Sequence, residues 1–152
     1  MKKALLPPTA QRVSYHTREN INSEIRNQTI HCLNTYKDSN ETILSDKIKK
    51  LNSEWDIERF LETKAASIML ASSILGYKKS KCCWFFLTGA VGLFLLQQAL
   101  QGWCPPVPAI RRMGVRTAEE INNEKTVFKF IRGDFSQNTN DVNEMLTMAE
   151  KQ

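Results

Sequence analysis

An uncharged, strongly apolar run from Cys82 to Leu100 is the feature that most constrains how this chain folds. It reads CCWFFLTGAVGLFLLQQAL, and Trp84 and Trp103 bracket it. On an α-helix, with a rise of about 1.5 Å per residue, the two indoles lie about 28 Å apart. A bilayer has a hydrocarbon core of about 30 Å and is enriched in Trp at both surfaces. The run therefore predicts a membrane-crossing helix with both indoles as interface anchors, the alternative being the buried helix of a soluble protein.

A second uncharged segment precedes this run. Ala65–Tyr77 reads AASIMLASSILGY, and as a helix it reaches about 20 Å, which makes it the weaker span. The short turn between the two segments forces their helices to run antiparallel. The sequence thus predicts an all-α protein built on a hydrophobic, transmembrane helical hairpin over residues 63–104, flanked by amphipathic helices.

Charged residues beside the apolar segments are predicted to anchor the hairpin at the membrane surface, since cations favour that position. They are Lys78, Lys79, Lys81, Arg111 and Arg112. Small residues four positions apart are predicted to let the two helices pack closely in lipid. They are Ser72 with Gly76, and Thr88 with Gly92.

The flanking segments divide the rest of the chain. Residues 1–16 look irregular, and residues 17–62 predict a polar, amphipathic helical arm. Residues 105–135 predict a proline-rich turn and a helix that starts with the capping box Thr117–Glu120, and residues 136–152 form a polar tail. In the arm, the apolar stripe Leu44, Ile48, Leu51 and Trp55 is suited to packing on a partner, on a membrane surface or within the arm itself.

The distribution of charge and the spacing of the cysteines argue against several classes of function. The net charge is +5, but Lys and Arg are spread among acidic residues, so nucleic acid is not a predicted partner. The start MKKALLPP has too short an apolar run for a secretory signal. Neither the adjacent pair His31–Cys32 nor Cys82–Cys83 has zinc-ligand spacing, and no cofactor is predicted. Cys104, between Trp103 and two prolines, is the candidate reactive thiol, or a small apolar residue filling the helix end.

Several stretches resemble the YgaP-like transmembrane domain family of bacterial inner-membrane proteins. They are HTRENINSEIR, EWDIERFLETKAAS, FLLQQALQGWCPPVPAIRRMGVRTAEEI and KFIRGDF, with GWCPP and RGDF the most specific. The resemblance runs from about His16 to Phe135. It implies an inner-membrane helical hairpin, often packed as a dimer in relatives. Some relatives carry a rhodanese-like sulfurtransferase domain, whose activity is not carried over here, and the family's typical His before GWCPP is Gln98 in this chain.

Three functional hypotheses follow. The first is a non-enzymatic inner-membrane protein that associates with itself, as a dimer, or with another membrane protein, its arms in the cytoplasm and membrane lipid around its hairpin. Its contacts would be carried by the apolar stripe and the helix after Thr117. The second is a redox or sulfur-relay accessory protein that uses Cys104. The third is a soluble helical oligomer.

Overall fold

The computed structural model describes residues 8–79 and 82–135, and within these ranges all regular structure is helical. The predicted all-α class is confirmed. The helices are α1 (Arg12–Tyr15), α2 (Glu19–Tyr36), α3 (Glu41–Ser53), α4 (Ile57–Lys79), α5 (Cys82–Gln101), α6 (Val107–Arg112) and α7 (Ala118–Arg132). Contacts divide the chain into two compact units, which are described separately below.

Helices α4 and α5 dominate the first unit, which comprises the residues up to Asn22 and Trp55–Ala118. Among the described residues, α5 is the one helix long and apolar enough to cross a membrane, by length and composition. It ends at Gln101, where Gly102 takes a left-handed φ of 72° and its amide donates to the Gln98 carbonyl at 2.8 Å. A left-handed glycine is a common helix terminator. The helix therefore ends before Pro105 and Pro106.

The core of the first unit joins segments that are far apart in sequence. Its buried members are Val13, Ile57, Leu61, Cys104, Val107 and Ile110. Val13 belongs to α1, so part of the segment predicted as irregular is an ordered helix with a buried anchor. Helix α1 was not predicted, because four residues are too few to show helical periodicity.

The proline-rich turn also contains a helix that the sequence did not predict. Helix α6 starts at Val107 and carries a proline in its first turn. Proline is tolerated there because the first amides of a helix have no intrahelical acceptor, so its missing N–H costs no hydrogen bond.

The second unit comprises Ser23–Glu54 and the residues from Glu119 onward. Its core is formed by Leu44, Ile48 and Leu51 of α3 with Ile121 and Phe128 of α7. Three of the four residues of the predicted apolar stripe are therefore buried within the chain. This packing argues against the hypothesis that the stripe contacts a partner. Its fourth predicted member, Trp55, follows the end of α3 and is 44% exposed.

Candidate functional site

The first feature of interest is the contact between α4 and α5, which brings together the four small residues predicted for helix packing. Ser72 is buried, and its Oγ lies 2.6 Å from Thr88 Oγ1. One hydroxyl donates to the other, and the acceptor is free to donate to a carbonyl of its own helix, since Ser72 also lies near Met69 O and Thr88 near Trp84 O. The pair thus links the two helices without leaving a hydroxyl unsatisfied.

The glycines at this contact show how closely the two helices approach. A Cβ on Gly76 would lie 3.0 Å from ring carbons of Phe85, and one on Gly92 would lie 3.6 Å from Met69 Cε. Position 76 thus faces 85, and position 92 faces 69, so the contacts run in antiparallel order. Gly76 has no room for a side chain unless the Phe85 ring moves, whereas Gly92 is in ordinary contact.

A groove of about 400 Å³ opens between the first half of α4 and the second half of α5, and we call it the α4–α5 groove. Its volume falls within the range of about 300–1,000 Å³ that is usual for small-molecule sites. Its α4 and α5 walls consist of Phe60, Leu61, Lys64, Ala65, Ile68, Val91, Phe94 and Leu95. Its remaining walls are formed by Cys104, Pro106 and Ile110.

The groove has a buried floor and an exposed rim. Leu61, Cys104 and Ile110 are each at most 7% exposed and form the floor, while Ile68 and Phe94 are exposed at the rim. Lys64 is the one charged residue in the lining. Its Nζ lies 5.6 Å from the centroid of the Phe60 ring, within cation–π distance. The site is an apolar cleft with one cation at its edge.

Cys104 lies in the floor of this groove rather than on the surface. Its side chain is 4% exposed, and burial raises the pKa of the thiol above its usual value, more than the hydrogen bond with the Val107 backbone lowers it. Because the thiolate is the nucleophile, these surroundings make Cys104 less reactive than an exposed cysteine. Its role as a reactive thiol stays a prediction.

The residues predicted as interface anchors occupy different environments. Lys78 and Lys79 are exposed at the end of α4, Trp84 is half-buried on α5, and Trp103 is 36% exposed just beyond α5. Lys81 lies outside the described residues. Arg112 is exposed on α6. Anchoring by these residues stays a prediction.

Arg111 differs from the surface position that was expected of an anchor. Its side chain is fully buried and donates to the Val115 carbonyl at 3.1 Å and to Asn22 Oδ1 at 2.9 Å. The Asn22 amide in turn donates to the Ser14 carbonyl at 2.9 Å. A buried guanidinium needs such acceptors, because an uncompensated buried charge is strongly destabilising. Arg111 thus ties α6 to the N-terminal segment.

Two further polar residues, Arg12 and Gln98, lie near the end of α5. Arg12 of α1 forms a 2.6 Å ion pair with Glu58 of α4 and reaches the Ala99 carbonyl at 3.4 Å. Gln98 is 6% exposed, and both amide atoms of its side chain lack a hydrogen-bond partner among the described residues. Neither residue has a local sequence signal, because the elements around them are brought together by the tertiary fold.

Across residues 8–79 and 82–135, no three His, Cys, Asp or Glu side chains are grouped closely enough to hold a metal ion.

Comparison with known proteins bears on this same segment. Residues 56–120 match the family described as "Inner membrane protein YgaP-like, transmembrane domain". The match covers α4, α5 and α6 and the turns between them, and it confirms over these residues the family that the sequence was found to resemble. The comparison with curated proteins gave no match, and neither did the comparison with solved structures.

Proposed function

We propose that this chain is a non-enzymatic bacterial inner-membrane protein that associates with itself through α5. The observation that carries the proposal is the apolar face that α5 turns away from α4. Only 6% of the most apolar stretch of α5 is buried within the chain. Such a face is incompatible with water over its whole length, and in a membrane it contacts lipid or another helix.

The exposed side chains recur at helical spacing and define one surface, the outer face of α5. Phe86 is 79% exposed, Leu93 is 63% exposed and Leu96 is 57% exposed, and exposed Gly89 lies between the first two. A Cβ built on Gly89 meets no atom within 4 Å. A small residue in a face of large ones lets a second helix approach closely, and close approach drives helix association in lipid. Phe86 and Leu93 of a second copy would then pack on either side of the glycine.

The packing of the arms favours the hairpin as the element that associates. Leu44, Ile48 and Leu51 of α3 and Ile121 and Phe128 of α7 already pack within the chain. The outer face of α5 is a large apolar surface that the described residues leave uncovered, so we assign association to it and not to the arms. The arms would lie in the cytoplasm, which is the side on which positive residues near membrane helices are retained.

Fractionation tests the membrane part of this proposal. Cells expressing the tagged full chain are lysed, and their membranes are washed with high salt and with carbonate. An integral hairpin stays in the pellet until detergent is added. Recovery in the wash or in the soluble fraction would overturn the membrane placement and favour the soluble helical oligomer.

Cysteine scanning tests the association part. In a background in which the four native cysteines are replaced by Ser, single cysteines are placed along residues 85–100 and oxidised in intact membranes. We expect cross-linked dimers at positions 86, 89 and 93, and little cross-linking at positions 88 and 92, which face α4. Absence of cross-linking at every position, or a maximum on another face, would refute association through the outer face.

Substitution of Gly89 supplies an independent check. Gly89→Leu should lower the dimer fraction, because it places a branched side chain where the second helix approaches. Leu87→Val is the control, a small change at a neighbouring exposed position that is not one of the residues defining the outer face. Equal dimer fractions in both variants and the wild type would contradict the assigned face.

A further inference from the structure

We infer that the α4–α5 groove holds an acyl chain of an anionic membrane phospholipid, with the lipid headgroup beside Lys64. The inference rests on the membrane placement proposed above and does not depend on self-association. It concerns a different surface from the outer face of α5, because the groove residues of α5 are Val91, Phe94 and Leu95.

The chemistry of the groove selects an apolar occupant. Its floor is made of Leu61, Cys104 and Ile110, and apart from Lys64 at the rim the rest of its lining is apolar. The Cys104 thiol offers at most a weak hydrogen-bond donor. Water in a cleft of this kind would find few hydrogen-bond partners, and an apolar cavity without polar partners does not hold water well. A hydrocarbon chain from the surrounding lipid needs no hydrogen-bond partners and can therefore fill the space.

The position of the groove along α4 and α5 favours a membrane lipid as its occupant. It is lined by residues from Phe60 to Ile68 on α4 and from Val91 to Leu95 on α5, and Leu95 precedes the end of α5 at Gln101 by six residues. At about 1.5 Å per residue, Leu95 lies about 9 Å inside the end of the apolar helix. The groove thus extends from the level where a lipid headgroup sits toward the bilayer interior, which is the path of an acyl chain.

The charge at the rim selects an anionic headgroup. Lys64 is exposed, and among the described residues its ammonium group has the Phe60 ring as its neighbour and forms no ion pair with a carboxylate. Elsewhere in the first turn of α4, the carboxylate of Glu58 is paired with Arg12. A phosphate at the rim would therefore meet an available cation, and its acyl chain would meet the apolar walls.

Native mass spectrometry of the full-length protein tests the inference. The protein is purified in mild detergent with equal amounts of phosphatidylglycerol and phosphatidylcholine that carry the same acyl chains, and the retained lipids are counted. We expect one tightly retained lipid per chain, with phosphatidylglycerol favoured. One lysine at a membrane surface favours an anionic lipid by about fivefold, so Lys64→Gln should lower the preference for phosphatidylglycerol by about that factor. Lys78→Gln, at the opposite end of α4, should leave the preference unchanged.

Filling the groove tests the acyl-chain part. Ala65→Phe places a ring in the groove and should abolish the retained lipid, whereas Ala66→Phe makes the same change on the adjacent, exposed position outside the lining and should not. If Ala65→Phe loses helical circular dichroism, the lysine pair still decides the question. A lipid retained equally by Ala65→Phe and Ala66→Phe, or a preference unaffected by Lys64→Gln, would overturn the inference.

The outcomes separate this inference from the proposed function. Protein that stays in carbonate-washed membranes but retains no lipid would refute the groove assignment alone. Dimer loss in Ala65→Phe with lipid retention unchanged would show that the groove is occupied by a second copy, and would likewise overturn the lipid assignment.

Discussion

Two glycines of the first unit allow the cost of adding a Cβ to be compared between a crowded and an open position. Gly102 and Gly114 both adopt a left-handed conformation, with φ of 72° and 84°. They differ in their surroundings. A Cβ on Gly102 would lie 2.5 Å from the backbone carbon of Arg12 and 2.6 Å from its carbonyl oxygen, whereas a Cβ on Gly114 would have open space around it. The same Gly→Ala change therefore tests two different physical terms.

The expected magnitudes follow from these terms. A non-glycine residue in the left-handed region costs about 1–2 kcal/mol, and this is the whole expected cost of Gly114→Ala. Gly102→Ala carries the same cost and also forces α1 away from the end of α5, because the obstructing atoms are backbone and not a mobile side chain. Overpacking of that kind costs about 1–3 kcal/mol. We expect Gly102→Ala to destabilise the first unit by about 2–5 kcal/mol in total.

The assay is unfolding in mixed micelles, in which SDS is titrated into dodecyl maltoside. Trp103 adjoins Gly102, so Trp55→Phe and Trp84→Phe are combined to leave Trp103 as the single fluorophore in wild type and variants. The free energy of unfolding is compared between the two glycine variants, and hydrogen exchange is followed in α1. Gly102→Ala should be the less stable variant and should show faster exchange in Arg12–Tyr15.

Two results would refute this reasoning. Equal destabilisation by Gly102→Ala and Gly114→Ala would mean that backbone conformation alone sets the cost and that α1 does not pack on Gly102. Unchanged exchange in α1 alongside a large loss of stability would mean that the loss arises elsewhere in the first unit.

Three smaller predictions follow. Ser72→Ala should destabilise the α4–α5 contact by about 0.6 kcal/mol and at most about 1.7 kcal/mol, the range for interhelical hydrogen bonds in membranes; Ser73→Ala, whose hydroxyl bonds only its own helix, should change the SDS unfolding midpoint less. The hydrogen bond from Arg132 lowers the pKa of Asp134 below its ordinary value of 3.8, so this ion pair stabilises the fold above pH 3.8 and the stabilisation is lost as the pH falls below that value. Asp134→Asn should therefore cost about 1–2 kcal/mol of unfolding free energy at pH 7 and less below pH 3.8. A cost that does not change with pH in pH-dependent unfolding would contradict the pairing. Maleimide should label Cys104 more slowly than the two exposed cysteines that begin α5, because its thiol is buried and its pKa is raised; mass-spectrometric mapping that shows equal rates would contradict the buried position.

The sequence determined the helical class and the location of the apolar segment. The run from Cys82 carries no charge, and its length matches a bilayer, so its prediction needed no tertiary information. Ser72 and Thr88 were also predicted from a local pattern, because each precedes a glycine by four residues and residues four apart lie on one face of a helix. The capping box before α7 and Gly133 after it likewise indicate where that helix begins and ends.

The candidate groove could not be read from the sequence. Its lining comes from α4, from α5 and from the segment around α6, and no spacing rule relates Leu61 to Cys104 or to Ile110. The same limit applies to Arg111. A basic residue beside an apolar segment is predicted to face the membrane surface, and only the fold reveals that Asn22 and the Val115 carbonyl receive its guanidinium.

Local pattern and tertiary context thus decided different properties of this protein. Hydrophobic run length and helix-cap chemistry act over one helix or less, so the sequence alone determined which segments are helical and which one suits a membrane. Burial depends on which distant segments meet. Only the tertiary structure decided that α1 packs at Gly102, that the stripe on α3 is covered by α7, and that the outer face of α5 and the α4–α5 groove remain open to other molecules.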